Sequence, residues 1–183
     1  APTFVSGLAD VQVTDIDLPD LRVRGMVIPA TARSSGTFDV TWTVRNEGVA
    51  LARFPWLDQL YLATSSGGGN PQFLGQFLRL QNLEVGADIV RTATFPLPAV
   101  PGHYYVVVTT DSGSSLLESS ERNNTLVSTE FINVSPAYRA SVATDVSLAP
   151  SGTPIELHGR AFDPDNNESV PNVPVTVRLL IKG

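Results

Sequence analysis

Apolar and polar residues alternate one by one along much of this chain. Between residues 37 and 45, Phe38, Val40, Trp42 and Val44 take every second position, and Thr37, Asp39, Thr41, Thr43 and Arg45 fill the gaps. Successive side chains of a strand point to opposite faces, so the pattern predicts a strand with one buried and one wet face. Asn46-Glu47-Gly48 follows with turn chemistry, Gly48 being free to adopt positive φ. Residues 56–64 open on Trp56 and resume the alternation through Leu60 and Leu62, with Tyr61 between them. A long amphipathic strand, a turn and a second strand predict the core of a β-sandwich.

The same pattern extends over the first part of the chain. Strands are predicted over 10–16 and 21–28, a turn over 29–36, and a connection over 49–55. Residues 65–71, Ser-Ser-Gly-Gly-Gly-Asn-Pro, form a flexible tip, and 72–80 suits either a strand or a turn-rich connection. Residues 87–97 place Ile89, Ala93, Phe95 and Leu97 on one face, which Arg91 interrupts. Residues 103–111 are apolar on both faces, as a strand in the middle of a sheet must be. A polar loop covers 112–124, and 125–134 is the last strand of this unit. Tyr104, two residues past the corner Gly102, suits a tyrosine corner, in which the hydroxyl caps an upstream backbone group. No segment has apolar residues at helical spacing, so no long helix is predicted.

Ser135-Pro136-Ala137 separates residues 1–136 from a second unit at 137–183. Strands are predicted there over 140–148, 154–162 and 173–181. About three strands cannot cover a hydrophobic face by themselves. The unit is expected to be incomplete. Either the natural chain continues, or these strands pack on the first unit, or another chain completes them by strand addition. The fold class is therefore all-β: an immunoglobulin-like antiparallel β-sandwich plus a second, incomplete sandwich unit.

Charge and composition narrow the function. Twelve basic against eighteen acidic residues give a net charge of −6, and no basic stripe exists, which argues against nucleic-acid binding. No apolar run is long enough to span a bilayer, so no direct membrane insertion is expected. The 183 residues include no cysteine, which excludes disulfides and thiolate metal sites. Catalysis lacks a motif: the histidines, His103 and His158, lie in different units, and neither a G-x-S-x-G nor an H-E-x-x-H sequence occurs. No enzyme activity is expected.

Several segments resemble the CARDB family. They are residues 10–16 (DVQVTDI), 41–48 (TWTVRNEG), 56–62 (WLDQLYL), Leu74-Gly75, 102–106 (GHYYV) and 118–124 (ESSERNN). They follow one another in the family's order from about Asp10 to Val134. The resemblance implies a cell-adhesion-related β-sandwich of large bacterial and archaeal surface proteins. The tip at Gly67–Asn70 departs from the acidic loop often found there. Residues after Pro136 resemble the front of a bacterial immunoglobulin-like repeat.

Oxygen-rich loops are the candidate chemistry. Asp163, Asp165, Asn167 and Ser169 follow D-x-D-x-N-x-S, which puts oxygen ligands on one side of a loop as calcium sites do. No Gly stands at the sixth position and no Glu at the twelfth, so a solvated polar turn competes. A second cluster, Asp111, Glu118, Glu121 and Asn123 with Asn124, could hold calcium or serve as capping and turn residues. Trp56 and Phe54, near a strand start, are candidate glycan contacts, whereas Trp42 lies on the core alternation. These observations predict a non-enzymatic extracellular structural or adhesion module of a prokaryotic surface or filament-forming protein. Its expected partners are neighbouring domains or identical subunits, with strand complementation between them. The alternative is a carbohydrate-binding accessory module of a secreted enzyme.

Overall fold

The computed structural model describes residues 16–147, 149–150, 152–173 and 176. The strand predicted over 10–16 and most of that predicted over 173–181 lie outside the described residues. Among the described residues every regular element is a strand: β1 (Leu21–Val27), β2 (Thr31–Arg33), β3 (Thr37–Asn46), β4 (Trp56–Ala63), β5 (Gln72–Arg79), β6 (Asp88–Pro96), β7 (Gly102–Thr109), β8 (Thr125–Val127), β9 (Ile132–Ser135), β10 (Arg139–Thr144) and β11 (Leu157–Phe162).

Two sheets face each other. One has the order β1-β3-β6 and is antiparallel; the other runs β2-β9-β7-β4-β5, with β8 also paired to β7. The β2–β9 pair is parallel, within the segment expected to be a plain turn. Residues 72–80 resolve as β5, antiparallel to β4, with an irregularity at Leu60/Tyr61. The predicted last strand is two pieces, β8 and β9. At the break, the Ser128 hydroxyl accepts the Val106 N–H at 3.1 Å and so replaces a ladder bond.

The alternation sorts the side chains as expected. Leu21, Val40, Trp42, Val44, Leu60, Val106, Val108 and Ile132 are fully buried between the sheets. Phe77 joins the sheets by packing on Trp42 at 5.1 Å between ring centroids and on Phe95 at 6.1 Å. Tyr104 is buried, and its hydroxyl donates to the Val100 carbonyl at 2.8 Å, the cap expected of a tyrosine corner.

Polar residues reach the core as well. Asp58 occupies a core-facing position of β4 and is completely buried. Its Oδ2 accepts from Trp42 Nε1 at 3.0 Å and from Arg79 Nε at 2.8 Å, and its Oδ1 accepts from the Thr110 hydroxyl at 2.8 Å. Arg79 Nη2 lies 2.7 Å from the same Oδ2 but is not aligned as a hydrogen-bond donor, so it contributes charge pairing only. Arg91 on β6 also turns inward, with its guanidinium 5.2 Å from the Phe77 ring. Burial and the nearby Arg79 cation lower its pKa, while Asp58 opposes the shift.

Gly48 serves a different purpose from the one expected. Its φ is not positive; a side chain there would run into the Leu18 carbonyl and the Asp20 amide. Asn46 completes this corner from a fully buried position. Its Oδ1 accepts from the Gly48 and Asp20 amides at 3.1 Å, and its Nδ2 donates to the carbonyls of Ala50 at 2.8 Å and Leu83 at 3.0 Å. The β4–β5 tip is also more structured than a flexible loop. Thr64 N–H bonds the Gly69 carbonyl at 3.1 Å, and Gly68, with φ 76°, bonds back to Ser65 at 3.0 Å.

Strands β10 and β11 form a separate two-stranded sheet. Val142 and Leu157 in it are 56% and 49% exposed.

Candidate cation site

The loop between β7 and β8 gathers acidic side chains at the end of the sandwich where β1 begins. One ligand oxygen from each of Asp111, Glu118 and Glu121 falls within 4.8 Å of the others. Each is held by backbone. Asp111, at φ 41°, accepts from the Ser115 amide at 3.0 Å, the Ser115 hydroxyl at 2.6 Å and the Leu116 amide at 2.9 Å. Glu118 accepts from the Leu21 amide of β1 through Oε2 and from Asn124 Nδ2 through Oε1 at 2.9 Å. Glu121 accepts from the Glu118 amide at 3.3 Å.

The asparagines point to missing partners. Asn123 Nδ2 donates to Asp20 Oδ1 at 2.9 Å, which ties the loop to the start of β1. The side-chain carbonyl oxygens of Asn123 and Asn124 are buried without a hydrogen-bond partner. Buried oxygens without donors are costly unless a cation or water satisfies them. Burial is also the main reason that the Glu118 pKa rises to about 7. Repulsion from Asp111 and Glu121 adds to the shift, and the Leu21 and Asn124 donors oppose it. Three carboxylates in one place are an oxygen-only donor set, the kind that suits a hard cation such as calcium. The loop therefore brings Asp111, Glu118 and Glu121 together, while Asn123 and Asn124 donate to Asp20 and Glu118. Asp20, which the sequence did not single out, joins them through Asn123.

The other acidic loop is arranged differently. Asp163 Oδ1 lies 3.7 Å from Arg33 Nη2, and Asp165 pairs with the same guanidinium. Asn167 accepts from Arg160 Nη2 at 3.2 Å, and Ser169 forms a backbone bridge with Phe162. The side chains of Asp163 and Asp165 thus face an arginine of the first unit. Arg33 also donates to the Pro136 carbonyl at 3.0 Å, and so clasps the connection between the units.

Trp56 is 1% exposed and belongs to the core. Its place as a glycan contact is therefore corrected: the inward alternation Trp56–Asp58–Leu60 carries it between the sheets. Phe54, in the preceding connection, is 51% exposed.

Facing sheets closed by a tyrosine corner, with an oxygen-rich loop at one end, define a β-sandwich module. The CARDB family model matches residues 18–128, more than half of the chain, and the chain belongs to that family. Among solved structures it is similar to the CARDB domain of a Pyrococcus furiosus protein crystallised in complex with di-metal ions. That match has 20% identity and a TM-score of 0.52, over 66% of this chain and 97% of the other. The solution NMR structure of the Pyrococcus furiosus domain matches at 19% identity and a TM-score of 0.51, over 65% and 97%. No curated protein matches the chain. No helix among the described residues is long and apolar enough to cross a membrane.

Proposed function

We propose that this chain is a spacer and adhesion module of an extracellular prokaryotic surface protein, and that its β7–β8 loop takes calcium. The observation that carries the reading is the convergence of Asp111, Glu118 and Glu121 within 4.8 Å, in a loop where the side-chain oxygens of Asn123 and Asn124 are buried without a partner. A cation there would tie the loop to the start of β1 through Glu118 and Leu21. It would stiffen one end of a sandwich that has no disulfide to do so. The Pyrococcus furiosus domain, solved with di-metal ions, supports a metal-dependent reading of this fold.

Residues 1–136 act in this reading as the folded module, and 137–183 open a second sandwich. The exposure of Val142, Ile155 and Leu157 supports further strands covering that face, whether from the same chain or from another subunit by strand addition. Asp163 and Asp165 have Arg33 as their cation and are not assigned calcium.

Calorimetric titration with calcium tests the site, together with melting in calcium and in chelator. The expected result is binding in the range of extracellular calcium modules, with dissociation constants of about 0.1–1 mM. Glu118→Gln with Glu121→Gln should abolish it. A melting temperature unmoved by about 10 mM calcium, well above that range, would remove the site.

A further inference from the structure

The outer faces of the two sheets differ in kind. On the β1-β3-β6 sheet the outer face is charged and self-paired: Arg45 meets Asp88 at 3.3 Å, Asp39 accepts from Thr94 at 2.6 Å, and Arg24 meets Glu47 at 2.8 Å. That is an ordinary solvated face. In the opposite sheet, strands β4, β5, β7, β8 and β9 contain no Asp, Glu, Lys or Arg except Asp58 and Arg79, and both of these are buried in the core. In a chain of net charge −6, the outer face of these strands carries no charge at all.

Aromatic rings and amides take its place. Phe73 on β5 is 52% exposed and packs edge-on against Tyr61 of β4 at 5.6 Å. Tyr105 of β7 stands opposite Ala63, so it is a diagonal neighbour of Tyr61, within reach of an aromatic ring. Tyr105 in turn meets Phe131 at 6.0 Å, edge-on. Next to Tyr61, Gln59 and Gln76 are directly opposed across β4 and β5, and Gln59 Oε1 accepts the Tyr61 hydroxyl at 2.8 Å. The aliphatic residues of this face are partly capped: Gly68 of the β4–β5 tip lies over Val107 and Val127, and a Cβ on it would sit 3.5 Å and 3.6 Å from their methyl groups. Of the rings, Phe131 is covered on one side by His103, stacked at 4.0 Å between centroids, whereas Phe73 stands exposed.

We propose that this face, centred on Tyr61 and Phe73, binds a neutral polysaccharide. Sugar rings present apolar C–H faces that pack on aromatic side chains, and hydroxyl edges that pair with amides and phenols. The absence of charge selects a neutral chain over uronic or sulfated ones, because an uncharged face offers a polyanion no attraction and the protein as a whole repels it. Leu78, opposite Leu57 on the same face, is 48% exposed, so aliphatic contact with a protein is the competing outcome that the test separates. The inference deepens the adhesion reading by naming what is held, and rests on it only for the setting. Calcium binding is measured separately, so the two can fail independently.

The test is affinity electrophoresis and calorimetry of the full chain with a soluble β-glucan, a xylan and a galactomannan as probes, with alginate as the charged comparison. Retardation by at least one neutral probe and none by alginate is the expected result, in calcium and in chelator alike. Phe73→Ala should weaken the calorimetric affinity roughly tenfold, as loss of one anchor does, with an unchanged far-ultraviolet spectrum. Tyr105→Ala is the second variant, in case the first disturbs β5. No retardation by any of the neutral probes would overturn the proposal. So would binding that survives both substitutions, or concentration-dependent dimerisation abolished by Phe73→Arg without any glycan binding.

Discussion

Trp42 Nε1 donates to Asp58 Oδ2 at 3.0 Å across the space between the two sheets, with both residues completely buried. Arg79 closes the same carboxylate from the neighbouring strand β5. A buried ion pair costs desolvation, and its value shows when one partner is removed. Asp58→Ala leaves Arg79 buried without an anion and Trp42 without an acceptor. It should therefore destabilise the module by about 3–5 kcal/mol. The double variant Asp58→Leu with Arg79→Met should be much milder, because no charge is left stranded. Urea unfolding of both variants checks this; a double variant as unstable as the single one would mean that packing, not charge, dominates here.

The tyrosine corner is a smaller and more local contribution. Tyr104→Phe keeps the ring in the core and removes only the hydroxyl bond to Val100. The expected loss is about 1 kcal/mol, with the denaturant slope unchanged. A loss within error of zero would mean that water replaces the bond at this half-buried corner.

How far these features were visible in the sequence depends on their range. The strands followed from the alternation, because period 2 is a property of neighbouring residues. Arg91 was seen to interrupt an apolar face, whereas the burial of Asp58, on the same alternation as Trp56, Leu60 and Leu62, was not drawn from the pattern. The partners of Asp58 were not legible either. Trp42, Arg79 and Thr110 lie 16, 21 and 52 residues from Asp58 and meet it only when two sheets close. That Asp111, Glu118 and Glu121 fall together was legible because they are near one another in sequence; what they hold was left open between a cation and a capped turn. The capture of Asp163 and Asp165 by Arg33 depends on how the chain returns past Pro136, which no local pattern encodes. Gly48 was read as free to take positive φ in a turn; close approach of Leu18, not a left-handed conformation, is what excludes a side chain there.

The Arg33 clasp should set geometry more than stability. Its partners are partly exposed, Asp163 at 38% and Asp165 at 75% of the side chain, so solvent screens the pair. Arg33→Ala should cost under about 1 kcal/mol of unfolding free energy. It should nevertheless broaden the distance distribution between the two units in small-angle scattering, and about 0.5 M salt should do the same to the unaltered chain by screening the pair. A distribution unchanged by both would show that the Pro136 connection alone fixes the joint.

Glu118 gives the calcium-free module a pH dependence of unusual sign. Its folded pKa, about 7, lies above the unfolded value of 4.5, so the folded state holds a proton that the unfolded state has lost. Stability from this group is fully present below about pH 4.5 and is lost as the pH rises through 7, with a total on the order of 3 kcal/mol. Most carboxylates that are paired in the folded state act in the opposite direction. In chelator, the unaltered chain should therefore melt lower at about pH 8 than at about pH 5.5, and Glu118→Gln should lose that difference. Calcium opposes this trend and at saturation cancels it, since it requires the ionised carboxylate and releases its proton on binding. Its stabilising effect should be larger at about pH 8 than at about pH 5.5, by an amount that levels off once calcium exceeds the dissociation constant at both pH values. A calcium-induced melting shift equal at both pH values would mean that the ion binds without Glu118.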